Sequence, residues 1–299
     1  QTVTFNSPEF QKLLPKIDDK MKPIETAKVD GEQCLRMVQA LSMPTIKMKQ
    51  KALIHTGVLI PDGEDTVPGW ADIARKMRLL PLSFLASQNL ENTKLIFWAN
   101  VETTNPLIQE IFEPILEKYS KNIEVKHFSV TAEFAKLAER YAPDNTSALT
   151  AELVHIFEDQ HIMSSKSNLM RYALLYNYGG AWMDTDVLLV QDLAPILEED
   201  WVVSMYGNFV NQGTLSVSRP ASPFITAWMR NILEMGLNTK WAAYGPSMIT
   251  RMTREVQAYL REKNFHVLPN CFFEGALNRN ASLSDQRTTG WDIFFKNVD

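Results

Sequence analysis

The sequence predicts an α/β protein with a mixed, mostly parallel sheet flanked by helices on both faces. Three observations carry that expectation. Short apolar runs rich in β-branched and aromatic residues recur along the chain, as at residues 52–60 and 93–99. Segments with apolar residues at helical spacing, such as 105–119, alternate with them. Polar or Pro/Gly-bearing breaks separate the two kinds. Alternation of this sort feeds successive strands into one sheet through crossover helices.

Taken in order, residues 1–47 are rich in Lys, Asp and Pro and read as a stalk or peripheral helical segment. Residues 48–299 read as a single catalytic-size domain. Within it, 52–60 is an apolar strand, 68–87 largely helical, and 93–99 (Thr-Lys-Leu-Ile-Phe-Trp-Ala) a buried strand. A helix with Pro near its start covers 105–119, a strand 123–128, and a helix 131–141. That last helix opens on a capping-box-like Thr131…Phe134 without the usual Glu. Residues 144–150 form a polar break. An amphipathic helix then runs to a Gly179-Gly180 break and an apolar strand. Strands are expected at 201–205 and 214–218, helices at 222–237 and 246–263, and a short strand at 266–269 before a loop-rich tail.

Composition narrows the function. With 45% hydrophobic and 22% charged residues, the chain has an ordinary globular balance. A net charge of −5 argues against a nucleic-acid surface, which needs a basic face. A phosphorylated substrate would therefore need local compensation from a metal or an arginine. The longest apolar runs fall short of the roughly 20 residues that span a bilayer. The chain opens at Gln1 rather than Met, so membrane anchoring is expected only through a segment outside it. Two cysteines, Cys34 and Cys271, allow one disulfide or two free thiols and exclude a cysteine metal cluster. The triplets beginning at Asn145 and Asn280 are glycosylation acceptors, compatible with a secretory route.

Residues 164–193 carry the chemistry. The strand after Gly179-Gly180 ends in Asp184-Thr185-Asp186. Side chains at i and i+2 of a strand share a face, so the two carboxylates are expected to converge on one cation. Paired hard oxygen donors suit Mg²⁺ or Mn²⁺ carrying a phosphorylated ligand. Arg171, on the preceding helix, can neutralise a diphosphate, or it can simply pair with Glu158 or Asp159. Three readings compete: an acidic strand-end turn without a ligand, an aspartate-dependent phosphatase, and a cation site for a phosphorylated ligand. The phosphatase pattern wants Thr or Val where Leu188 stands, and wants its aspartates near the first strand.

The run Ser167-Asn168-Leu-Met-Arg171-Tyr-Ala-Leu-Leu-Tyr176-Asn-Tyr178-Gly179-Gly180-Ala-Trp182-Met-Asp184-Thr-Asp186 resembles the DXD signature of retaining glycosyltransferases. That group includes Golgi α-1,6-mannosyltransferases and α-1,4-galactosyl- and N-acetylglucosaminyltransferases, and is related to glucosylating toxin domains. Asn211-Gln212-Gly213, the Arg219-to-Phe224 stretch, Tyr244-Gly245-Pro246-Ser247 and Leu268-Pro269 resemble later elements of the same family. Two positions depart from it. Asn168 stands where the family has Asp, and no histidine follows His266 to serve as a late metal ligand, leaving Asp292, Glu274 or water.

The resemblance implies a GT-A-type nucleotide-sugar-binding fold and transfer of a hexose, with retention, from a nucleotide sugar to a glycan, glycolipid or glycoprotein acceptor. It implies a UDP-sugar in preference to GDP-mannose, Mn²⁺ (or Mg²⁺) as cofactor, and a Golgi or secretory-lumen location as the catalytic part of a type II membrane protein. Asp184 and Asp186 are the implied metal residues, with Arg171 and Gln212 beside them in catalysis. Asn168, Arg171, Trp182, Asp184, Asn211, Gln212, Gly245 and Pro246 are the implied donor-binding set. Trp182 also fits plain core packing, and Trp241 and Tyr244 fit either an acceptor platform or a helix-start packing cluster. His55, at the end of the first strand, has a structural reading. Same-face attack, with the departing phosphate assisting deprotonation of the acceptor, is the expected route. The alternative is a nucleotide-sugar-binding protein that has lost transfer.

Overall fold

The computed structural model describes residues 51–60, 76–190, 192–197, 201–206, 209–240, 243–255 and 265–268. The stalk segment 1–47, both cysteines, Trp241, Glu274 and Asp292 lie outside them. Among the described residues one sheet has strand order β3-β2-β1-β4-β6-β5-β7. The strands are β1 (Ala52–Val58), β2 (Thr93–Ala99), β3 (Ile123–His127), β4 (Gly180–Trp182), β5 (Trp201–Tyr206), β6 (Phe209–Ser218) and β7 (Phe265–Leu268). The pairs β1–β2, β2–β3, β1–β4 and β5–β7 are parallel, while β6 runs antiparallel to both β4 and β5. The mixed, mostly parallel sheet flanked by helices is therefore present.

Two apolar layers cover its faces. On one, Ile54, Leu95 and Phe97 pack with Leu80 and Phe84 of α1 (Leu79–Ser87) and Ile111 and Phe112 of α2 (Pro106–Tyr119). On the other, Ile96 and Trp98 meet α3 (Val130–Tyr141), α4 (Thr146–Glu158), α5 (Met163–Tyr178), α6 (Pro223–Met235) and α7 (Pro246–Glu255). The period-2 alternation of β2, with Leu95 and Phe97 on one face and Ile96 and Trp98 on the other, is what divides the core.

Several expectations change. α3 starts one residue earlier than expected: Ser129 is its cap, its Oγ accepting the Ala132 N–H at 3.4 Å, so Thr131 lies inside the first turn. The polar break at 144–150 shrinks to a single 3₁₀ turn, Pro143–Asn145, because α4 begins at Thr146. Its Leu149, Leu153, Ile156 and Phe157 spacing was the available signal. α5 is not amphipathic. Every residue from Asn168 to Asn177 is buried, so this helix runs through the middle of a layer. β4 is only three residues long, and Asp184 to Asp186 fall beyond it. Asn211-Gln212-Gly213, whose amides and glycine read in the sequence as a turn, joins no two strands. It lies within β6, where the β5 ladder jumps from Val203↔Ser216 to Ser204↔Asn211 and leaves 212–215 as a wide bulge.

Candidate active site

The site is built by the path from α5 to β4. α5 ends at Gly179, whose N–H donates to the Leu175 carbonyl at 2.9 Å. Gly179 and Gly180 have φ of 67° and 86°, a region that side chains with a Cβ rarely enter. A Cβ on Gly179 would strike Pro220, and one on Gly180 would land on the Leu53 carbonyl oxygen. The glycines let the backbone fold back directly against β1. Behind the turn, Arg140 Nη1 donates to the Tyr176 and Asn177 carbonyls at 3.0 Å each, closing the helix end. Asn177 Nδ2 donates to the Glu133 side chain and Tyr178 Oη donates to it as well, both at 2.9 Å.

β4 then pairs with β1 through Ile54↔Ala181 and His55↔Trp182, and with β6 through Trp182↔Ser216. β1 has β2 and β3 on one side and β4 on the other, so the carboxyl ends of β1 and β4 flank the point where strand order changes direction. Ligands of open α/β sheets bind in the crevice outside such a point. Asp184 sits there.

The two carboxylates do not share a strand face. Asp184 to Val187 form a turn closed by Val187 N–H donating to the Asp184 carbonyl at 3.1 Å. Asp184 is tied down: its Oδ1 accepts Arg171 Nη2 at 2.6 Å and Trp182 Nε1 at 2.7 Å. Arg171 is buried, its guanidinium carbon 5.4 Å from the Trp182 ring centroid, and its Nη1 donates to Asn168 Oδ1 at 3.2 Å. Glu158 and Asp159 are not its partners; Asp159 pairs with His155 at 3.1 Å. Asp186 differs. It is open to solvent at the outer edge while protein crowds it from behind, and that lost hydration, followed by the Asp184 charge, raises its carboxyl above the usual value.

The structure thus joins Asn168, Arg171, Trp182, Asp184 and Asp186 in one place. Trp182 is both core and site: its ring is buried while its N–H reaches Asp184. The backbone of Asn211 and Gln212 enters the β6 bulge just beyond Ser216, the partner of Trp182. Tyr244 is not an acceptor platform. It is fully buried, accepting the Asn238 N–H at 2.6 Å and donating to the Gly236 carbonyl at 2.7 Å. Gly245 is buried beside it and Pro246 opens α7, and among the described residues nothing links either to the carboxylates. His55 is buried, with both ring nitrogens engaged. Among the described residues no group of three or more His, Cys, Asp or Glu side chains could hold a metal ion. Any cation at the pair would therefore take its remaining ligands from water or phosphate oxygens, as Mg²⁺ and Mn²⁺ commonly do. Arg140 and Glu133 went unmarked in the sequence, because neither spacing nor residue type ties α3 to the Gly-Gly turn.

Residues 107–203 match the family model described as a glycosyltransferase sugar-binding region containing the DXD motif. A human alpha-1,4-N-acetylglucosaminyltransferase is 34% identical over 94 residues, covering 31% of this chain and 26% of that protein. The chain thus matches about a quarter of that relative's length. Among solved structures, the PaToxG glycosyltransferase overlaps 71% of this chain and 74% of its own at 13% identity, with a TM-score of 0.44. The ligand-free glycosyltransferase domain of the YGT toxin overlaps 83% and 90% at 10% identity, also with a TM-score of 0.44.

Proposed function

We propose that this chain, whose residues 107–203 match the DXD-containing glycosyltransferase sugar-binding region, is the catalytic part of a metal-dependent retaining glycosyltransferase. Its donor is a nucleotide sugar, a UDP-hexose in preference to GDP-mannose, and its acceptor a saccharide-bearing molecule that receives an α-linked hexose. One observation carries the reading: Asp184 is held by Arg171 and Trp182 at the β1/β4 switch point, with Asp186 open beside it.

That arrangement divides the labour. Asp184, with one oxygen occupied, offers its other oxygen to a ribose or sugar hydroxyl or, through water, to the cation. Asp186 is the direct metal residue. A divalent ion held there would supply Lewis-acid stabilisation of the leaving nucleoside diphosphate. Arg171 adds positive charge behind the pair, which favours an anionic leaving group. Asn168 keeps a hydrogen bond to Arg171 but no charge, so the guanidinium answers to Asp184 alone. The same reading has Asn211 and Gln212 bracket the sugar, and Gly245 and Pro246 border the donor pocket away from the carboxylates. Same-face attack, with the departing phosphate taking the acceptor proton, needs no carboxylate nucleophile in that bulge.

The phosphatase reading fits poorly, since Leu188 stands where that pattern wants Thr or Val and the pair follows the fourth strand rather than the first. A non-transferring nucleotide-sugar binder of the same fold draws support from Asn168 and from the lack of a histidine after His266. A lumenal location is supported by the exposed acceptor Asn145; no helix among the described residues is long and apolar enough to cross a membrane. Incubation with Mn²⁺ and each common nucleotide sugar is expected to release nucleoside diphosphate, and Asp186→Ala to abolish that release with the fold intact. Donor binding without any release would select the binder reading; turnover by Asp186→Ala that resists chelation would refute the site.

A further inference from the structure

We propose that His55 is a positioning residue for the Asp184–Asp186 pair, holding the Gly179–Met183 stretch at both of its ends. The inference deepens the donor-site reading above and rests on it. Three contacts carry it. His55 Nε2 donates to the Gly179 carbonyl at 2.9 Å, fixing the first residue after α5. The backbone carbonyl of His55 accepts the Met183 N–H at 2.9 Å, fixing the residue just before Asp184. Trp98 Nε1 donates to His55 Nδ1 at 3.1 Å, which leaves the proton on Nε2, the nitrogen that the Gly179 bond requires.

The imidazole is fully buried between the Trp98 and Tyr178 rings, with centroids 6.2 and 6.0 Å away. Burial pushes its pKa down to about 4, so it stays neutral and its tautomer stays set. The stretch it spans consists of two glycines at positive φ and the short β4. Glycine backbone has the greatest freedom to lose, so an external fastener is needed where the carboxylates must be placed to within fractions of an ångström. Tyr178 passes the same demand outward, since its hydroxyl is held by Glu133 of α3. His55 never touches the ligand; it acts through the Gly179–Gly180 turn.

The test compares the parent protein with His55→Gln and Trp98→Phe. Mn²⁺ binding is followed by loss of the free aquo-ion EPR signal, with and without UDP. Far-UV circular dichroism and thermal melting confirm that each variant is folded at the assay temperature. His55→Gln is expected to weaken Mn²⁺–UDP binding by about tenfold, the usual cost of losing an outer-shell partner. Trp98→Phe keeps the imidazole but frees its tautomer, and a smaller weakening is expected. A purely structural histidine would lower the melting temperature and leave the dissociation constant of the folded protein unmoved. Folded His55→Gln with parental Mn²⁺–UDP affinity overturns the proposal. Should that variant not fold, parental affinity in Trp98→Phe overturns it instead. A parent protein that binds neither Mn²⁺ nor UDP would sink the donor-site reading itself, and the proposal with it.

Discussion

Asp184 and Asp186 are chemically identical and sit two residues apart, yet their surroundings give them opposite relations to the fold. Asp184 neutralises a buried guanidinium, so deleting it leaves Arg171 charged, desolvated and without its carboxylate. Breaking a fully buried pair this way costs about 3–5 kcal/mol. The Asp184 side chain is 39% exposed, so solvent screening reduces that figure. Asp184→Ala is expected to lower unfolding free energy by about 2 kcal/mol. Asp186 is exposed, and among the described residues its carboxylate anchors no neighbouring segment. Asp186→Ala is therefore expected to stay within about 0.5 kcal/mol of the parent. Urea titrations of the two variants read the difference directly. Equal losses would mean that the Arg171–Asp184 contact contributes nothing to the fold. Loss of turnover in Asp186→Ala, without loss of stability, separates a ligand-holding role from a structural one.

At the scale of elements, the α5–β4 junction decides where both carboxylates go, and glycine permits it. Gly180 runs so close to β1 that an alanine Cβ would collide with the Leu53 carbonyl, at a φ that already disfavours it. Gly180→Ala is expected to leave little soluble folded protein, since the clashing atom is strand backbone and cannot move aside. Gly236 is the control. Its φ is 60°, but a Cβ there meets nothing within 4 Å, so Gly236→Ala should cost only backbone strain, about 1–3 kcal/mol. Thermal melting of the two proteins tests the ranking, and a Gly180→Ala variant as stable as Gly236→Ala would contradict it. The same junction shows what a sequence reveals. Gly179-Gly180, Asp184 and Asp186 stand out because each demands a special backbone or a special charge. β1, β2, β3 and α2 were legible because their apolar periods run unbroken. The all-round burial of α5 was not, since Arg171, Asn168 and Asn177 look like a solvated face until partners from α3 and the turn after β4 cover them. The β6 bulge escaped for a related reason: register slips are set by the partner strands, and Asn-Gln-Gly reads locally as a turn.

Across the whole molecule, the sheet's change of direction at β1 brings the ends of β1 and β4 together, and His55 is the buried imidazole at that seam. Burial, the largest influence, and the nearby Lys126 charge lower its pKa to about 4, against the opposing pull of the Gly179 carbonyl. The sign of the pH effect follows. An unfolded histidine titrates near 6.5, while the folded one resists protonation down to about 4. Above pH 6.5 the imidazole is neutral in both states and contributes no pH dependence. As pH falls from about 6.5 to about 4 the unfolded state takes up a proton that the folded state refuses, so stability declines. Below about 4 both states are protonated and the loss levels off, at about 3 kcal/mol in total. A proton forced onto Nδ1 would confront the Trp98 N–H, so the fold has no ready way to accept it. Carboxylates titrate in the same range, and the comparison with His55→Gln removes them: the parent-minus-variant stability should shrink across pH 6.5 to 4 and be flat on either side. A difference that stays constant through that window would show an imidazole that is hydrated and free to charge, and would detach His55 from the seam it is placed to hold.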